Sequence, residues 1–69
     1  MSDIKYVQSI HPSADCYRFG AGWRIERFIR DVDIPISLEM PTQAEAWRDA
    51  ARVMRRTVEI KELLAKERR

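Results

Sequence analysis

"RFGAGWRIERF", residues 18–28, decides how the first half of the chain is read. Both glycines of the chain, Gly20 and Gly22, lie here, and Trp23 follows directly. A phosphate-cradling loop joins a strand to a helix, whose N-terminal amides and dipole hold the anion. The segment after Gly22 has a strand pattern instead, and no lysine or GK[ST] signature accompanies the glycines. A short glycine loop between two alternating runs is a hairpin turn, because glycine takes positive φ without steric cost. Phe19 and Trp23 then flank the turn and help to fill the core.

Working outward, "WRIERFI" sets Trp23, Ile25 and Ile29 against Arg24, Glu26 and Arg30. The alternation is imperfect, since Arg27 falls with the apolar set and Phe28 with the polar one. "CYRF" is a short strand with Tyr17 and Phe19 on one side, and "HPSAD" is a loop of turn formers. Upstream, "IKYVQSI" is read as a strand with Ile4, Tyr6 and Ile10 on one face. "RDVD" is a second turn. "IPISLEM" alternates most cleanly, with Ile34, Ile36, Leu38 and Met40 on one face and Ser37 and Glu39 on the other. Pro35 cannot donate to a ladder, so this strand belongs at an edge or pairs only after Pro35.

Near residue 41 the period becomes helical. "TQAE" forms a capping box, with Thr42 accepting from the Glu45 amide and the Glu45 side chain reaching back to Thr42. No glycine or proline follows, so the helix runs over about residues 43–67. Ala46, Ala50, Val53, Met54, Thr57 and Leu64 share one side. Arg48, Arg52, Arg55 and Arg56 share the opposite one. The predicted fold is therefore α+β, in one domain over residues 1–69. A small, mostly antiparallel sheet of three to four strands lies within residues 3–40, and one long C-terminal helix packs across it.

Composition bounds the function. A 69-residue chain has a marginal core, and small scaffolds usually gain stability from disulfides, metal or oligomerisation. Cys16 is the single cysteine and His11 the single histidine, so neither an internal disulfide nor a structural zinc site is available. No metal or other cofactor is expected, and oligomerisation, as a homodimer, is the expected supplement. Charged residues make up 35% of the chain, yet the net charge is only +2. No apolar run is long enough to span a membrane, and the N-terminus lacks the apolar core of a signal peptide. With an unpaired thiol, these features point to the cytoplasm.

Cys16 and His11 are the one pairing that resembles a nucleophile and its base. Nothing marks an oxyanion hole around them, and the chain leaves little room for a substrate cleft. Asp31 and Asp33 are turn formers rather than a metal pair. The chain is not expected to be an enzyme.

Arg48, Arg52 and Arg55, at spacings of four and three, line one helix ridge that Arg56 widens. Asp49 with Arg52, and Arg55 with Glu59, are the expected helix pairs. Arginine is enriched in protein interfaces and pairs bidentately with carboxylates. The ridge also suits phosphates, but acids interrupt it and the net charge is low. Farther along, the helix outruns any sheet of this size, which leaves Ile60, Leu63 and Leu64 for a dimer or partner surface.

The run from Gly22 to Arg56 resembles a small ββα type known from bacterial and phage genomes. There a "GW" strand, here Gly22 and Trp23, leads through a second strand to a helix opening "TQAEAW", here residues 42–47. The length, the dense charge and the lack of catalytic signals also resemble small phage accessory proteins. Many of those bind and block one host protein, as anti-CRISPR inhibitors do. This resemblance implies a protein partner and carries over no functional residue. The function expected is a non-catalytic protein-binding module, a phage-type inhibitor or modulator of a bacterial host protein or defence complex. The alternative is a nucleic-acid-binding protein that uses the arginine face.

Overall fold

The computed structural model describes residues 2–67. The elements run α1 (Asp3–Ile10), β1 (Asp15–Phe19), β2 (Gly22–Ile29), β3 (Val32–Pro35) and α2 (Gln43–Glu67). The three strands form one antiparallel sheet in the order β1-β2-β3, and α2 lies across it. The fold is α+β, as the change of period near residue 41 predicts.

Residues 18–28 are a hairpin. Phe19 pairs with Gly22 across a two-residue loop, Gly20 and Ala21. Gly20 has φ of 60°, which fits the first central position of a type II′ turn. Gly22 has a different reason to be glycine. A Cβ there would sit 2.5 Å from the Met40 carbonyl oxygen. The chain returns along this edge, where Trp23 and Met40 exchange two backbone hydrogen bonds of 2.8 Å each. The second hairpin turns on Arg30 and Asp31, with φ of 51° and 64°. Two successive positive φ values are the pattern of a type I′ turn, here made without glycine.

The N-terminal segment is a helix, not the expected strand. Ser2 caps it, accepting from the Lys5 amide at 3.2 Å, and Asp3 sits in the first turn. Ile4, Val7 and Ile10 recur every three residues, and Val7 is fully buried. A strand would leave Val7 outside the apolar face of Ile4, Tyr6 and Ile10. The helix wins because α2 offers a surface for Val7 to pack on, and an eight-residue helix depends on such packing.

The reading of "IPISLEM" as one alternating strand also fails. β3 ends at Pro35. Beyond it the Ile36 amide still donates to Ile25 O at 2.9 Å, but Ser37 turns inward and its Oγ accepts from the Ile25 amide. The Leu38 amide is drawn to Asp49 on α2. These two polar bonds break the period, so Ile36 and Ser37 are buried while Leu38 is 68% exposed.

α2 begins as its cap predicts, with Thr42 Oγ1 accepting from the Glu45 amide at 3.2 Å. The return arm from Glu45 to Thr42 is not formed. The core gathers Val7, Ala14, Ile25, Ile36, Trp47 and Met54 around Ala46, Ala50 and Ala51. The three helical alanines are fully buried and let α2 approach β2 closely. Trp23 packs against this cluster. Phe19 does not: it is 45% exposed on the outer face of the sheet, opposite in pleat to Ile25.

Candidate protein-binding surface

The buried residues of α2 end at Met54. Residues 55–67 carry no buried side chain, which leaves ~20 Å of helix beyond the core. Ile60, Leu63 and Leu64 are 47%, 60% and 48% exposed. Helical geometry places Val53, Ile60 and Leu64 within ~40° of one another, with Leu63 beside them. Exposed Leu38 meets this seam at its inner end, where it lines a hollow of about 450 Å³ with Val53 and Arg52.

Of the arginines, Arg52 and Arg56 border this seam, while Arg48 and Arg55 lie on the far side of the helix, and the four are not equivalent. Arg52 donates through Nη2 to Asp49 Oδ1 at 2.8 Å and through Nε at 3.3 Å. Asp49 is 7% exposed. Burial alone would raise its pKa, but the Leu38 amide and the Arg52 guanidinium outweigh burial and hold the carboxyl below its ordinary value. Arg55 reaches back to α1, with Nη2 3.8 Å from Asp3 and its guanidinium 4.7 Å from the Tyr6 ring centre. The expected Arg55–Glu59 pair is therefore replaced by a tertiary one. Arg48 and Arg56 make no ion pair among the described residues. Arg48 borders a hollow of about 230 Å³ with Met40 and Glu45. Arg56 borders another of about 400 Å³ with Arg52, Arg55 and Glu59. Arg52 and Arg55 thus also fasten the fold, whereas Arg48 and Arg56 do not.

The remaining candidates fall elsewhere. Cys16 lies opposite Ile25 on the inner sheet face. Burial, with Asp15 adding to it, pushes its thiol pKa up, away from an activated thiolate. His11 contacts Arg27 rather than Cys16, at 3.0 Å through Nδ1. Asp31 and Asp33 stand at the second hairpin, and no cluster of three metal-ligating side chains occurs among the described residues. No described helix is long and apolar enough to cross a membrane.

Sequence reasoning missed the outer sheet face. Tyr17, Phe19 and Phe28 are exposed there. Arg24 pairs with Glu26 and stacks 3.8 Å from the Phe19 ring centre. The signal was present in the misplaced Phe28 of the β2 alternation. No protein-family model, curated protein or solved structure matches the chain.

Proposed function

We propose that the chain is a non-catalytic protein-binding module whose contact surface is the projecting half of α2. Ile60, Leu63 and Leu64 form the apolar centre, Arg56 and Arg52 border it as a basic rim, and Arg48 and Arg55 extend the basic surface along the other side of α2. The observation that carries this reading is the exposure of three large aliphatic side chains on a helix that has already left the core. An apolar centre with a charged rim is the general anatomy of a protein interface. The complementary partner carries an apolar strip edged by carboxylates. A second copy of this chain is one such partner, because a homodimer would cover the seam and enlarge a core rich in alanine. A bacterial host protein is the other, as the resemblance to phage accessory proteins implies.

Affinity capture from a bacterial lysate, with and without nuclease, tests the proposal. Capture of one defined protein that persists after nuclease and is lost in Leu64→Asp supports it. Capture that depends on nucleic acid, and is weakened equally by charge reversal at Arg48, Arg52 and Arg55, supports phosphate binding along the ridge instead.

A further inference from the structure

Arg27 lies on the inner face of the sheet, in line with Ile25 and Ile29, where a charge is out of place. Its guanidinium meets an imidazole rather than a carboxylate. Nη1 stands 3.0 Å from Nδ1 and 3.4 Å from Nε2 of His11. Nε is shut off from solvent and has no hydrogen-bond partner. No acidic side chain pairs with Arg27 among the described residues. Buried guanidinium groups are normally paired, because the desolvation cost is otherwise unrelieved.

Arg27 lines a cleft of about 270 Å³ between the end of α1, the sheet and α2. Lys61 enters the same cleft from α2, and His11 closes it from the end of α1. The other walls are apolar, chiefly Ile10, Ile36 and Val58. The Thr57 hydroxyl is occupied, donating to Val53 O at 3.0 Å. Donors and positive charge converge here with the His11 ring as an acceptor for Arg27 but with no carboxylate to balance them, and Arg27 Nε has no partner at all.

We propose that this cleft is a carboxylate site, taking a carboxylate on a short aliphatic stem. The guanidinium supplies a planar fork that fits a carboxylate, which a rounder anion matches less well. Lys61 adds charge at the rim, and the aliphatic walls take the stem. The volume lies just under the roughly 300–1,000 Å³ of sites for drug-sized ligands, so the occupant is small. It is either a free acid or an acidic side chain presented by a protein. Leu63 lies on the far side of α2 from this cleft and Leu64 on the adjoining ridge, and the proposal does not rest on the binding surface described above.

His11 provides the readout. The charged groups facing it are Arg27 from β2 and Lys61 from α2, both cationic. Burial first, then these two charges, hold its pKa below the ordinary histidine value. A bound carboxylate would reverse the local field and raise the His11 pKa. By linkage, binding would then tighten as the pH falls through that range.

As the only histidine, His11 gives a single set of imidazole NMR signals. The intact chain is titrated with acetate, butyrate and inorganic phosphate across pH 5–8, beside Arg27→Gln, Arg27→Lys and Lys61→Gln. Butyrate is expected to shift the signals saturably, to bind more tightly than acetate, and to raise the His11 midpoint by about one unit. Loss of the fork in Arg27→Lys, which keeps the charge, should weaken butyrate about tenfold. Should Arg27→Gln fail to fold, this variant carries the test. Micromolar binding of butyrate identifies a free acid as the occupant. Saturable but only millimolar binding supports the carboxylate site and argues against a free acid of this size, and a His11 midpoint that rises with protein concentration in the absence of added acid identifies the occupant as an acidic side chain of a second copy. An unsaturable response, an equal response to phosphate, or full retention of binding in Arg27→Lys overturns the proposal.

Discussion

Asp49 Oδ2 accepts from the Leu38 amide at 2.9 Å while Oδ1 holds Arg52 at 2.8 Å. One buried carboxylate therefore hooks the irregular segment after β3 onto α2. The two ends of this bridge differ, since the Arg52 side chain is 68% exposed and Asp49 is nearly enclosed. Asp49→Ala strands a partly buried amide and should cost about 1–3 kcal/mol. Arg52→Ala releases an exposed cation to water and should cost less than about 1 kcal/mol. Urea denaturation of the two variants checks the asymmetry, and equal losses would refute it.

The same carboxylate sets a pH dependence. Its folded pKa is lowered, so its stabilisation is present above the unfolded value of ~3.9 and is lost as the pH falls through the lower folded value. His11 also has a lowered pKa, so the unfolded chain binds that proton more tightly. Stability should begin to fall as the pH drops below ~6.5 and level off beneath the folded His11 value. His11→Gln should remove the upper phase alone and Asp49→Asn the lower one. Urea midpoints measured from pH 3 to pH 8 test both assignments.

The turns predict opposite effects of glycine. Arg30 and Asp31 hold positive φ without being glycine. Combining Arg30→Asn with Asp31→Gly supplies the Asn-Gly pair that a type I′ turn favours, and should stabilise the fold by about 1 kcal/mol. Gly20→Ala should destabilise it by a similar amount, since its φ is 60°. Gly22→Ala should cost more than Gly20→Ala, because its Cβ meets the Met40 backbone rather than the flexible Glu39 side chain. Thermal unfolding midpoints should follow that order.

The projecting helix predicts a separation of binding from stability. Leu64→Asp and Leu63→Asp should leave the unfolding free energy within about 0.5 kcal/mol when measured on the monomer. They should abolish self-association, which light scattering at micromolar concentration would detect in the parent. Met54→Ala, at the last buried position of α2, should instead cost about 2–5 kcal/mol. A parent that is monomeric at every concentration would remove the homodimer from the proposed partners.

Charge reversal should divide the arginine ridge in two. Arg48→Glu and Arg56→Glu should weaken partner binding with little loss of stability. Arg52→Glu and Arg55→Glu should lower stability as well, because they face Asp49 and Asp3 in the folded chain. Binding of bare DNA or RNA at physiological salt, lost evenly across the ridge, would favour the phosphate-binding reading.

Local chemistry sufficed for the features that depend on neighbours in the chain. The Thr42 cap and an interior free of glycine and proline specify α2. Gly20 specifies the first hairpin, and "RDVD" marks the second. Even the misfits of β2 were faithful: Arg27 does face inward and Phe28 outward. Tertiary structure decided the rest. Residues 3–10 carry both strand-like and helical spacing, and only the surface of α2, which buries Val7, selects the helix. Residues 36–40 alternate cleanly, yet Ser37 and Asp49 compete for their amides and redirect the chain. The roles of the arginines were equally hidden, because Asp3 meets Arg55 and His11 meets Arg27 only after α1 docks. Periodicity reports which faces a short segment can bury, whereas the identity of what covers a face depends on residues brought together from distant parts of the chain.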